Sequence, residues 1–289
     1  MAVDILQEKI RKTKNPSMLE LGLSLSELPP QFEKSAAGYG MFCRELMEGL
    51  KEIIPAIRFN FASFALLGAE GIEQLMQCMK SASQLGYYVA MDAPEVLSPV
   101  SAKLIADLIW GEGSGYACEG LIISGYPGSD VIKPFLPYCK DGKKDLFVVT
   151  RTANKSASEI QDLLAGSRTV HVTAADHVNR HGADTAGKHG YTRVGILAGA
   201  SNADSLRNLR AKYPKLFILV DGYDYPNANA KNCSFAFDKF GHGAVACAGA
   251  SITAAWKQVE ESEGSDYLDQ AKAAAERMKK NLGRYTTIL

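Results

Sequence analysis

His177 and His181 stand four residues apart with Asp176 beside the first, a spacing that on a helix puts both imidazoles on one face, where they can share a divalent metal. Asp184 and His189 follow nearby, but no third ligand is evident, so the run reads as a solvated polar helix face. Tyr223, Tyr225, Asn227 and Asn229 make a loop of phenols and amides that could stack on a ring or sugar, and the same composition makes an ordinary polar turn. Residues 111–115, Gly-Glu-Gly-Ser-Gly, carry no following lysine of the kind that binds phosphate, and read as a flexible connection. The six cysteines form no Cys-x-x-Cys pair and sit mostly among apolar residues, as reduced core thiols do.

Thirty-two basic and thirty-two acidic side chains cancel, which leaves no basic stripe to neutralise nucleic-acid phosphates, so no nucleic-acid partner is expected. Charges interrupt the first twelve residues before an apolar signal core can form, and no stretch reaches the roughly 20 apolar residues that span a membrane. A reduced, soluble, cytoplasmic protein without a membrane partner is expected.

Any such chemistry must be positioned by the elements around it. Strand-like apolar runs occur at 18–24, 56–61, 87–92, 120–124, 146–150, 193–198, 216–220 and 243–247. Amphipathic stretches separate them; Ile72, Leu75, Met76 and Met79, for example, share one helical face. Asn202 before Ala203, and Ser98 before Pro99, are helix starts. Ser129-Asp130 before Val131 is another. Eight strands alternating with helices predict one (β/α)8 TIM barrel over residues 1–289, opened by an N-terminal helix and closed by a long helix in the last 35 residues. An open doubly wound sheet is the competing architecture, which periodicity does not separate from a barrel.

Several ordered runs carry a resemblance. They are 87–102 (Tyr-Tyr-Val-Ala-Met-Asp-Ala-Pro-Glu-Val-Leu-Ser-Pro-Val-Ser-Ala), 61–71 (Phe-Ala-Ser-Phe-Ala-Leu-Leu-Gly-Ala-Glu-Gly), Tyr126-Pro-Gly-Ser-Asp130 with Pro134-Phe135, 147–154 (Phe-Val-Val-Thr-Arg-Thr-Ala-Asn) and 194–200 (Val-Gly-Ile-Leu-Ala-Gly-Ala). Together they resemble orotidine 5'-phosphate decarboxylase, in the longer bacterial branch of that family. The resemblance implies a homodimer and a reaction without metal or organic cofactor, driven by electrostatic preorganisation.

It also implies a rewritten site. The family's third strand ends in Asp-x-Lys-x-x-Asp; here Asp92 remains, Pro94 stands at the lysine and Leu97 at the second aspartate. Arg58 stands at the second-strand lysine, a planar fork in place of a compact ammonium. Ser24 takes the place of the ribose-binding aspartate, Asn60 that of a glutamine, Ala153 that of the pyrimidine-contacting serine and Ser101 that of a threonine. The phosphate loop Pro-Gly-x-Gly-Ala-Gln becomes Asp221-Gly-Tyr-Asp-Tyr-Pro, and Ala250 stands at the phosphate-binding arginine. Asp92 and Arg58 are thus the expected catalytic-position residues. Ser24, Asn60, Ser101, Tyr126, Asn154, Tyr223 and Asp224 are the expected ligand contacts, with Arg151 at another strand end.

A phosphate about 4 Å from a carboxylate is repelled by about 1 kcal/mol in water and about 4 at a protein surface, so a nucleotide phosphate is disfavoured. The expectation is a degenerate or repurposed barrel that takes a neutral or cationic small molecule, or fills its mouth with an internal pair such as Arg58 with Asp92. The alternatives are a working decarboxylase or related sugar-phosphate lyase in which Glu95 stands in for a missing carboxylate, with Lys103, the nearest lysine downstream, expected to face solvent from the following helix, and a regulatory dimer partner with Val96 and Leu97 at the interface.

Overall fold

The structure, a computed structural model, describes residues 2–260 and 262–289. Among these, eight parallel strands close on themselves: β1 (Ser17–Leu21), β2 (Ala56–Phe59), β3 (Tyr88–Asp92), β4 (Gly120–Ser124), β5 (Asp145–Arg151), β6 (Thr192–Gly199), β7 (Leu216–Asp221) and β8 (Ala244–Ala248). Each strand lies beside its neighbours in sequence, and β1 pairs with β8 through Ser17–Ala246, Met18–Cys247 and Leu19–Ala248. That closure excludes the open doubly wound sheet and makes the fold a (β/α)8 barrel.

Strand side chains alternate between faces, and the barrel turns this alternation into layers. Leu19, Ile57, Val89 and Leu121 point outward into a core shared with the surrounding helices. Met18, Ala56, Tyr88, Phe147, Phe217 and Val245 point inward, and Val3, Leu6 and Ile10 of the N-terminal helix (Ala2–Thr13) close the floor beneath them. Two residues further along, the same inward face changes chemistry: Glu20 follows Met18, Arg58 follows Ala56, Asp92 follows Ala90, Asp221 follows Leu219 and Cys247 follows Val245. The apolar lower layers therefore carry a polar layer at the C-terminal mouth.

Element ends differ from expectation where local hydrogen bonds outcompete the ladder. The run at 56–61 stops at Phe59, because the Asn60 side chain accepts from the Ser63 N–H at 3.2 Å and caps a short helix, Phe61–Ala65. The run at 18–24 stops at Leu21, and Ser24 caps the turn Leu25–Glu27. The last 35 residues are not one helix. A short turn at Ala255–Gln258 comes first, Gly264 at φ +88° breaks the chain, and the long helix is Tyr267–Gly283. A hairpin of Leu164–Ala165 with Arg168–Thr169 was not expected, since two-residue strands leave no alternation to read. The helix starts at Ser98 and Asn202 are present, each side chain accepting from a backbone N–H three residues on. Ser129–Val131 is only a short 3-10 turn without a side-chain cap.

Asp145 is fully buried at the start of β5, where Tyr88 Oη donates to Oδ2 at 2.8 Å. Burial pushes its carboxyl up to about 8, with the Tyr88 hydroxyl and Arg193 opposing. The folded protein thus keeps a proton that the unfolded chain releases near the ordinary aspartate value of about 3.9. Stability should be greatest below that value and fall as pH rises toward 8, by up to about 1.4 kcal/mol per pH unit. Denaturant melts between pH 5 and 8 should show this slope, and Asp145→Asn should flatten it.

Candidate functional site

Arg58 is the hub of the polar layer. Its Nε and Nη2 donate to Asp92 Oδ1 and Oδ2 at 2.9 and 3.1 Å, a two-point clamp, while Nη1 donates to Asp221 Oδ1 at 2.5 Å and lies 3.5 Å from Glu20 Oε2. Glu20 sits directly across the β1–β2 ladder from Arg58, and its Oε1 accepts from Asn60 Nδ2 at 3.1 Å. Cys247 Sγ is 4.0 Å from Nη1. One cation therefore meets three carboxylates.

Burial sets the electrostatics. Arg58 is only 8% exposed; desolvation would lower its guanidinium, but Asp92, Asp221 and Glu20 together hold it well above its ordinary value. Burial raises the carboxyls of Asp92 and Glu20, against the opposing pull of Arg58. Burial likewise holds the Cys247 thiol well above its usual range, which leaves it a poor nucleophile. Ligand atoms of Glu20, Asp221 and Cys247 lie within 4.8 Å of one another, a spacing suited to a metal, but the Arg58 guanidinium lies against all three.

Two cavities open over this hub, and a third meets the first at Tyr225. The first, about 410 Å³, is walled by Glu20, Glu27, Asp221, Asp224 and Tyr225 over Arg58. The second, about 470 Å³, lies on the Asp92 side and is walled by residues 94–97 and Tyr126. The third, about 500 Å³, holds Asn154, Lys155 and Asn227, and shares Tyr225 with the first.

The expected site residues divide among these places. Arg58, Asn60, Asp92 and Asp224 meet the first two cavities. Asp224 is already engaged: its Oδ2 accepts from the Gly249 N–H at 2.7 Å and the Ser251 N–H at 3.3 Å. Tyr126 walls the second cavity and donates its hydroxyl to Thr150 O at 2.5 Å. Asn154 and Arg151 reach the third, where Arg151 is clamped by Asp162 at 3.1 and 3.0 Å. Three expectations need correction. Ser24 is an exposed cap whose backbone N–H donates to Glu27 Oε2. Ser101 is consumed in a capping box with Ser98. Tyr223 is half-buried and packs against the outer core, lining none of these cavities, and Tyr225 faces them in its place, held by its N–H to Gly222 O at 3.0 Å.

Glu20 was missed because it sits inside an apolar run, although its alternation with inward Met18 was readable. Glu95 lines the second cavity, and Lys103 faces solvent paired with Asp107. His177 and His181 share the helix Val170–Gly182, but Asp184 pairs with Lys140 and His189 lies beside Glu8, so the histidines gather no third ligand among the described residues.

A parallel (β/α)8 barrel with its charged groups at the C-terminal strand ends is the class that fold and site define. Within that class, the chain is similar in sequence to orotidine 5'-phosphate decarboxylases along almost its whole length. It is 27% identical over 293 residues to that of Rhodopirellula baltica, covering 96% of this chain and 97% of the relative. It is 26% identical over 268 residues to that of Clostridium perfringens, covering 91% and 92%. The resemblance read from the motifs therefore holds. Solved structures agree in fold: a putative orotidine 5'-phosphate decarboxylase from Streptomyces avermitilis, with TM-score 0.80, 19% identity and coverage of 98% and 95%, and OMP decarboxylase from Leishmania donovani, with 0.76, 23% and 99% of both chains. No family model matches the chain.

Removing one partner from a buried charge cluster strands the others. Arg58→Met should cost about 3–5 kcal/mol at pH 7. Much of the loss should return toward pH 5, because Glu20 and Asp92, relieved of their cation, take up protons more readily. Urea melts at the two pH values check both the size and the sign.

Proposed function

We propose that this chain is an orotidine 5'-phosphate decarboxylase-like barrel repurposed for a small ligand other than orotidine 5'-phosphate. The observation that carries the reading is the engagement of Arg58 by Asp92, Asp221 and Glu20. Decarboxylation leaves a carbanion that must be stabilised and then protonated by a positioned acid. A guanidinium held above its ordinary value keeps its proton, and its charge is already shared among three carboxylates. The phosphate end points the same way, since the Asp224 carboxylate holds the Gly249 and Ser251 N–H groups. An incoming phosphate would have to displace it and face Asp221 as well. On this reading Arg58 and Asp92, with Glu20 and Asp221, form the floor on which a ligand rests.

We also assign a homodimer and a cytoplasmic location. Leu97, Val100, Leu104 and Leu108 are 66%, 71%, 65% and 49% exposed, and the last three recur every fourth residue along the helix Pro99–Trp110. A stable interface needs about 800 Å² from each partner, and this stripe suits its apolar centre. Lys103 and Asp107 flank the stripe, and an antiparallel second copy would set each opposite its counterpart's opposite charge. Six buried cysteines without a disulfide suit a reducing compartment.

Orotidine 5'-phosphate turnover, followed by its ultraviolet absorbance with micromolar protein from a host lacking its own decarboxylase, should be undetectable. Turnover in the ordinary enzyme range of about 1–10³ s⁻¹ would overturn the reading. For the dimer, light scattering should show two copies for the unaltered chain and one for Leu104→Glu, with the circular dichroism unchanged.

A further inference from the structure

The first and third cavities adjoin, and their walls have opposite chemistry. In the first, Glu20, Glu27, Asp221 and Asp224 surround one cation, Arg58, so the wall keeps an excess of negative charge. In the third, no carboxylate among the described residues lines the wall. Its Arg151 is neutralised by the Asp162 clamp, and its Ser201 hydroxyl is spent on Ala153 O at 2.7 Å. That leaves Lys155, exposed and in no ion pair among the described residues, with the Asn154 and Asn227 amides beside it.

Tyr225 is the partition between the two. It lines both cavities and is 46% exposed. Its position is fixed by a turn that only glycine fits at Gly222: φ is +73°, and a Cβ there would lie 2.5 Å from Ala153 Cβ and 2.8 Å from the Tyr225 ring. A half-exposed aromatic edge between an acidic and a basic recess offers an apolar ledge for a short hydrocarbon chain and a ring face for a cation.

We propose that the two cavities together bind a small zwitterion, with a protonated amine in the acidic recess at Glu20 and Asp221, a carboxylate at Lys155, and the connecting chain across Tyr225. The inference rests on the reading that the mouth does not take a nucleotide phosphate. It goes further by naming the ligand class, and neither recess alone implies it. The acidic wall by itself would suit any cation, whereas the neighbouring lysine makes a carboxylate at the far end favourable.

The test is isothermal titration calorimetry on the full chain with ω-amino acids of four, six and eight carbons, each beside the amine and the acid of the same length. Uridine 5'-monophosphate is titrated in parallel. One zwitterion length should bind at least about tenfold more tightly than its matched amine, and the matched acid should give no heat. Lys155→Met should bring the zwitterion down to the affinity of the amine without changing the amine's own, and Glu20→Gln should weaken both.

An amine that binds as well as the zwitterion, or a Lys155→Met protein that keeps the preference, would remove the third cavity from the site and overturn the proposal. So would an acid that binds best, or silence from the whole series. If that silence extends to uridine 5'-monophosphate, the zwitterion alone is lost; a heat from the nucleotide removes the repurposing as well.

Discussion

A buried guanidinium among three carboxylates is the constraint on which the mouth of this barrel depends. The β1–β2 register places Glu20 opposite Arg58, and the inward alternation of β3 and β7 brings Asp92 and Asp221 onto the same plane. Each carboxylate would be costly there alone, since an unpaired buried charge is worth several kcal/mol of destabilisation. Arg58 makes all three tolerable because its planar fork can donate in several directions at once, two bonds to Asp92 and another to Asp221. A lysine, with a compact ammonium, could not span the same set. Arg58 and Asp221 are therefore energetically one unit.

The same logic reaches the loop after β7. Asp224 takes the two backbone N–H groups at Gly249 and Ser251, and its neighbour Gly222 lets the chain turn tightly enough for Tyr225 to stand over the cavity. The loop is thus tied down by an internal anion. Its cavity remains open with a surplus of negative charge, which sets what can approach it.

Much of this was legible in the sequence. All eight strands were placed within a few residues, because parallel barrel strands are near-continuous apolar runs bounded by polar caps. The pairing of Arg58 with Asp92 was readable as soon as both were assigned to strand ends. Glu20 was not read, because a lone acid in an apolar run looks like an irregularity until the closed barrel shows that it faces inward. Ser24, Ser101 and Tyr223 were misplaced for a different reason. Alignment by position assumes that a side chain keeps its direction, but caps claimed both serines and the half-buried tyrosine packs against the outer core. The hairpin at 164–169 and the break at Gly264 left no period to detect.

The layering keeps the apolar packing of the barrel apart from the charges at its mouth. Met18, Tyr88, Phe147 and Phe217, sealed below by the N-terminal helix, fill the interior beneath the polar layer with large apolar side chains. That packing is apolar and carries no charge to be balanced. Charges in the upper layer, by contrast, are coupled through Arg58, so their effects on stability cannot be additive. A change at one carboxylate shifts the balance felt by the others, and only sets that restore it are tolerated. Arg58 thus serves the stability of the mouth as much as its charge, and neutralisation by it decides which combinations of carboxylates can exist there.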